Sequence, residues 1–257
     1  MKMMNEEIMY HIGLPTSVKA KYAILPGDPG RVPKIAAYLD EPRELGFHRE
    51  FRTWAGKLCG ETVLVTSTGI GGPSASIAME ELIRLGVDTF VRVGTCGGMN
   101  EKVCAGDVVI ATGAIRMEGT SREYLPIEFP AVADFGLTRN LVDGAAALGA
   151  PYHTGVVQCK DSFYGQHSPQ SMPNGAELLR KWEAWIAGGC LASEMESAAI
   201  FSVAAARDVR AAALFHVVWN QTRRDRFGDN AESHDTDRAI RVAIEGLKLT
   251  VAEDKRA

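Results

Sequence analysis

An α/β fold, in which a mixed central β-sheet is flanked by helices and residues 1–257 form a single domain, is the architecture this sequence predicts. Three observations carry the prediction. Apolar strand-like runs alternate with helical stretches along the whole chain. Four of the strand ends are followed by polar clusters, as in open α/β sheets that collect ligands beyond the carboxyl ends of their strands. Finally, 257 residues, 46% hydrophobic and 23% charged, suffice to bury most of their surface around one large core.

Tyr22 to Leu25 is a short apolar run, read as a strand, that stops at Pro26-Gly27-Asp28-Pro29-Gly30-Arg31; Val32 to Leu39 then has helical character. Asp28 suits the cap of that helix, and the loop amides and Arg31 face whatever lies beyond the strand end. An ordinary capped turn satisfies the same residues. Phe47 to Leu58 alternates as a strand does, with Arg49 and Glu50 in mid-strand, and Lys57 to Glu61 reads as a hairpin turn into Thr62 to Ser67. Thr68-Gly69-Ile70-Gly71-Gly72-Pro73-Ser74 opens a helix running to about Leu85. It invites comparison with the G-x-G-x-x-G dinucleotide fingerprint. Ser74, however, holds the third glycine position, Pro73 intrudes, and Asp88 precedes the next strand instead of ending it, so dinucleotide binding is set aside.

Val87 to Gly98 has the most chemical character. It reads as a buried strand that carries Arg92 at its carboxyl end and then breaks into glycine-rich backbone at Gly94, Gly97 and Gly98. Such backbone passes close to a ligand, Thr95 and Cys96 offer short polar side chains, and Arg92 supplies a fixed fork of donors, which together suit a phosphate. A strand-to-loop turn with a surface arginine is the plainer alternative.

Asp107 to Ala111 is a further strand, followed by a loop through Pro126 and Pro130, a helix over Leu137 to Leu148 and a strand over Thr154 to Cys159. That strand ends in Lys160-Asp161-Ser162-Phe163-Tyr164-Gly165-Gln166-His167. Gln166 offers a donor and an acceptor to the edge of a nucleobase and Phe163 a ring to pack on, unless the segment is simply a turn with a half-buried aromatic. Glu177 to Ile186 is amphipathic. Glu194-Met195-Glu196 then opens an alanine-rich helix to about Arg207, and the two glutamates suit either the helix dipole or the hydroxyls of a sugar. Ala211 to Trp219 is an apolar strand, Asn220 to Asn230 is charged and flexible enough for a lid, and Asp235 to Val251 makes a closing helix.

A net charge of −4 excludes the basic face that nucleic-acid binding needs, while small anions remain acceptable partners. Neither a signal-length apolar core at the amino terminus nor a membrane-spanning run is present, which predicts a cytoplasmic protein without a membrane partner. Five cysteines without a CxxC pair and six histidines without HxxxH spacing point to neither disulfides nor zinc.

Six motifs, Pro26 to Arg31, His48-Arg49-Glu50-Phe51, Ser67 to Ser74, Arg92-Val93-Gly94-Thr95, Phe129-Pro130-Ala131-Val132-Ala133-Asp134 and Glu194-Met195-Glu196-Ser197, closely resemble the nucleoside phosphorylase family, and within it the branch that cleaves uridine. The resemblance runs from about Tyr10 to Leu249. It implies the three-layer fold of that family and reversible phosphorolysis of uridine to uracil and ribose 1-phosphate, with inorganic phosphate as co-substrate and no cofactor required. By match to the motifs, Gly27, Arg31, Arg92 and Thr95 would hold phosphate, joined by Arg49 from a neighbouring subunit. Thr95, Met195 and Glu196 would hold the ribose, with Glu194 beside them and His11 crossing the subunit interface. Cys96, Gly97, Phe163 and Gln166 would face the base. The resemblance further implies a homo-oligomer with shared sites, a hexamer built from dimers, and a potassium ion between paired subunits at Glu50, Ile70 and Ser74, where a plain Glu-Ser hydrogen bond is the alternative.

The chain departs from that pattern at the base. Many members of the uridine-cleaving branch carry arginine two residues after the base-binding glutamine, where this chain has Ser168, and Lys160 and His167 are expected to replace it. Purine-cleaving members use an aspartate at the strand end that here reads Val217-Val218-Trp219-Asn220, so purine or broad specificity is the second reading.

Overall fold

A computed structural model describes residues 7–256. The amino-terminal stretch read as lacking a signal-length apolar core falls mainly in residues 1–6, which with Ala257 lie outside the described residues. The chain begins with β1 (Tyr22–Leu25) and a short α1 (Val32–Ala36), then makes an antiparallel meander of β2 (Asp40–His48), β3 (Phe51–Leu58) and β4 (Glu61–Thr66). Helix α2 (Gly72–Arg84) leads to β5 (Thr89–Gly98) and β6 (Val108–Met117), then α3 (Thr120–Tyr124), β7 (Ala131–Val132), α4 (Phe135–Ala147) and β8 (Tyr152–Lys160). After α5 (Phe163–His167) and α6 (Gly175–Ala187) come β9 (Ala192–Glu194), α7 (Ser197–Arg207), β10 (Arg210–Asn220), α8 (Gln221–Phe227) and α9 (Asp237–Asp254). No helix among the described residues is long and apolar enough to cross a membrane.

The strands form one mixed α/β sheet, as expected, and part of it closes on itself. Strand β5 pairs in parallel with β10, β10 antiparallel with β6, β6 in parallel with β8 and β8 in parallel with β9, and β9 returns antiparallel to the end of β5. From this ring β1, β4, β3 and β2 extend outward. Alternate side chains of each central strand go to opposite cores. Tyr22, Ile24, Val91, Val93, Ala212 and Leu214 join one core with α1, α4 and α9, and Ala23, Leu25, Phe90, Ala211, Ala213 and Phe215 join the other with α2 and α7. Both faces are therefore buried, which is why these strands read as apolar runs without visible alternation.

Two expectations are corrected. Strand β5 does not break after Arg92 but continues to Gly98, because β10 accompanies it to Asn220. Its glycines make room for that neighbour: a Cβ on Gly94 would stand 2.7 Å from the Phe215 ring, and one on Gly98 2.5 Å from the Asn220 amide. Arg49 and Glu50 are not in mid-strand. They form the two-residue turn between β2 and β3, with Arg49 in the left-handed region at φ 56, a conformation that the alternating pattern cannot reveal. The charged segment from Asn220 to Asn230 contains helix α8, whose start is held because Asn220 Oδ1 accepts from Arg223 N at 2.9 Å and its Nδ2 donates to Asn100 O and Val103 O at 2.8 Å.

Candidate active site

The site opens where β5 changes partner. Residues Thr89 to Arg92 pair with β1 and Gly97 to Gly98 pair with β9, so the residues between them have no strand on that edge. A cleft of about 760 Å³ occupies the gap, a size that suits a small ligand.

Gly27 and Arg31, from the turn after β1, join Arg92 and Thr95 of β5 at one end. A Cβ on Gly27 would stand 3.4 Å from both terminal nitrogens of Arg92, so its absence lets the guanidinium lie against the backbone. The Arg92 side chain is 4% exposed; Nη2 donates to Glu196 Oε2 at 2.5 Å and Nη1 to Thr68 Oγ1 at 3.1 Å. Among the described residues Arg92 Nε is buried without a hydrogen-bond partner. Arg31 donates to Val93 O at 3.3 Å. Burial, reinforced by the like charge of Arg92, lowers the pKa of the Arg31 guanidinium. An anion between the two arginines would offset both effects.

Glu194, Met195 and Glu196 line the middle as the chain passes from β9 into α7. Glu194 accepts from the amides of Glu196 at 2.9 Å and Ser197 at 3.0 and 3.1 Å, and from the Ser197 hydroxyl. It therefore anchors the amino terminus of α7, where the helix dipole favours negative charge, although burial and then the charge of Glu196 push its pKa up. Glu196 accepts from Gly71 N at 2.7 Å and from Arg92, which ties the middle of the cleft to the Arg92 end.

Cys96, Gly97, Lys160, Phe163 and His167 form the far end with Trp219. The His167 ring lies 4.3 Å from Phe163 and 5.5 Å from Trp219, and Arg224 of α8 covers Trp219 at 4.4 Å. Burial pushes the Lys160 pKa down against the pull of Glu194; burial, then Lys160 and Arg224, push His167 down. At the rim are Glu50, Ile70 and Ser74, with Ser74 Oγ donating to Glu50 Oε1 at 2.7 Å and Ile70 78% exposed.

Three of the residues singled out in the sequence stand outside the cleft. Gln166 lines a neighbouring cavity of about 250 Å³, with its Oε1 2.5 Å from Ser193 Oγ. His11 Nδ1 is 2.8 Å from Glu81 Oε1, and Glu81 also accepts from the amides of His11 and Ile12. Arg49 lies over the Tyr10 ring at 6.0 Å, beside a shallow groove lined by exposed Ile8, Tyr10 and Phe47.

The sequence profile of the phosphorylase superfamily matches residues 21–249. The chain belongs to the phosphorylase superfamily. Among curated superfamily relatives, it is 56% identical over 245 residues to the uridine phosphorylase of Treponema pallidum (strain Nichols), covering 95% of each chain. It is 39% identical over 250 residues to the uridine phosphorylase of Salmonella typhimurium, covering 95% of this chain and 99% of that one. It is 36% identical over 232 residues to the guanosine phosphorylase of Halorubrum lacusprofundi, covering 88% and 92%. The sequence motifs of this superfamily member name most of the residues lining the cleft but do not single out Ser193 and Trp219, nor Gln158 of the neighbouring cavity. Ser193 adjoins the Glu194-Met195-Glu196 run, and that adjacency is the one signal that pointed to it; Gln158 becomes relevant only because it sits opposite Ser193 in the β8–β9 register.

Proposed function

We propose that this chain, as one domain, catalyses reversible phosphorolysis of uridine in the cytoplasm. The observation that carries the reading is that Arg31, Arg92, Glu196 and Lys160 line one cleft, which supports subsites for phosphate, ribose and base in turn. Gly27, Arg31, Arg92 and Thr95 bind phosphate, and the free Arg92 Nε is a donor waiting for one of its oxygens. Glu196 accepts from the ribose hydroxyls beside Met195 and Thr95, with Glu194 holding the helix that presents it. Phe163 and His167 pack on the base between Cys96 and Gly97, while Lys160 and Gln166 bind its polar edge.

The bound phosphate is the nucleophile. Its oxygen forms a bond to C1′ as the bond from C1′ to N1 of the base breaks, and the electron pair leaves with the base. Lys160 stabilises the anion at a carbonyl oxygen, and the phosphate charge faces the cationic sugar. No cofactor is required for these steps.

The test is base release from uridine and from inosine, followed by ultraviolet absorbance with and without phosphate. Uridine cleavage that needs phosphate is expected, with Lys160→Ala slowing it about 100-fold. Cleavage without phosphate would sink the reading, and an undiminished Lys160→Ala would remove Lys160 from it. The relative named guanosine phosphorylase favours a second reading, purine or broad specificity, which cleavage of inosine would support.

The sites are shared in a homo-oligomer, a hexamer of three dimers. Their position outside the cleft supports carrying His11 and Arg49 to a partner's site, and the exposed Ile8, Tyr10 and Phe47 supply apolar contact. Inactive Arg49→Ala and Arg92→Ala chains, unfolded and reassembled together, are expected to regain partial activity; confirmed mixed oligomers that stay inactive would assign each site to one chain. A potassium ion held by Glu50, Ile70 and Ser74 between subunits should raise the melting temperature over that in a bulky organic cation, and equal melting would dismiss it.

A further inference from the structure

How the base is chosen is written in a buried hydroxyl. Ser193, in β9 and 3% exposed, lines the substrate cleft, and its Oγ is in contact with Gln158 and Gln166, which line the 250 Å³ cavity next to it; Lys160 lines both. Lys160 Nζ donates to it at 2.6 Å. The side-chain oxygens of Gln158 and Gln166 both lie against it, the second at 2.5 Å. A hydroxyl has one proton and two lone pairs. Lys160 takes one lone pair, and the single proton reaches one glutamine oxygen, so the other oxygen is left facing Ser193 Oγ, lone pair against lone pair.

Turning an amide by 180° exchanges its oxygen and NH2 without changing its shape, and the surroundings decide which glutamine turns. Gln158 is 2% exposed, and its Nε2 faces Met117 Sδ at 3.4 Å. Turned, it would press a buried carbonyl oxygen against a sulfur that has no proton to give, at the cost of an unsatisfied acceptor. Gln166 is half-buried. Turned, it gives NH2 to the second lone pair of Ser193 and frees its own oxygen. The hydroxyl is then fully used: Ser193 accepts from Lys160 and Gln166 and donates to Gln158.

The geometry points to Ser193 as a positioning residue that, held by Gln158 and Lys160, fixes Gln166 with its carbonyl oxygen toward the base. Resting on the phosphorolysis proposed above, the inference adds which edge is selected. An acceptor on Gln166 beside a donor on Lys160 complements a ring N–H flanked by a carbonyl, as in uracil at N3 and O4 or hypoxanthine at N1 and O6. It opposes the lone pair at N3 of cytosine or N1 of adenine.

Gln158 lies outside the substrate cleft, which makes it the place to test the relay. In Gln158→Met the Ser193 proton passes to Gln166, whose amide then presents NH2 to the base. The ratio of kcat/KM for uridine over cytidine is expected to fall about 100-fold, with KM for phosphate unchanged. Where cytidine turnover is too slow to follow, inhibition by uracil and by cytosine reads the same ratio. Ser193→Ala should lower the ratio too, and Gln158→Glu, which keeps an acceptor oxygen, should retain it. Should the enzyme cleave inosine and not uridine, the substrate assignment fails, but the same variants must lower inosine over adenosine. A ratio unchanged in both Gln158→Met and Ser193→Ala, including one in which both nucleosides slow alike, overturns the inference.

Discussion

Arg92→Met is expected to abolish phosphorolysis and to destabilise the protein by about 3–5 kcal/mol, because it leaves the Glu196 carboxylate without its cation inside the cleft wall. The two side chains are 4% and 5% exposed and meet at 2.5 Å, so the variant takes from the carboxylate a counter-charge in direct contact with it. Denaturant unfolding of the variant reads the loss. The double variant Arg92→Met/Glu196→Leu separates stability from chemistry: replacing both charges by apolar groups should recover most of the stability while activity stays absent. If the single variant unfolds like the wild type, the pair contributes nothing to the fold, and its place in the cleft serves chemistry alone.

Gly94→Ala should cost about 1–3 kcal/mol and much of the activity, although it adds one methyl group. The new Cβ would stand 2.7 and 2.9 Å from two carbons of the Phe215 ring, which is fully buried, and 3.4 Å from Arg92 Nε. Either the ring moves and disturbs the β5–β10 pairing, or β5 shifts and carries Arg92 with it. Adding Phe215→Leu should restore part of the stability by making room. Unfolding curves of the two variants decide this, and a Gly94→Ala protein as stable as the wild type would show that the ring yields freely.

How legible a feature was depended on how far apart in sequence its causes lie. The anion end could be read locally, since the glycine, the strand end and the arginine that make it occur within single short motifs around Gly27 and Arg92. The continuation of β5 through its glycines could not, because its reason, the crossing of Phe215 and Asn220, sits more than a hundred residues later in the chain. Glu194 and Glu196 looked equivalent in sequence and are not: one faces the α7 amides and the other Arg92, a division made by the turn between β9 and α7. The Ser193 junction assembles from β8 and β9 by parallel register and leaves no local pattern.

The closed ring also sets the order in which the molecule can be completed as it leaves the ribosome. Strand β5 acquires β1 at once, but its second neighbour begins only at Arg210, and the short β9 that meets its last two glycines needs β8 beside it. Until β10 emerges, the backbone at the Arg92 end of the cleft has an unpaired flank, and Glu196 has no finished wall to stand in. Binding competence thus arrives near the end of synthesis, so a ligand that stabilises the native state favours the finished chain over every shorter one.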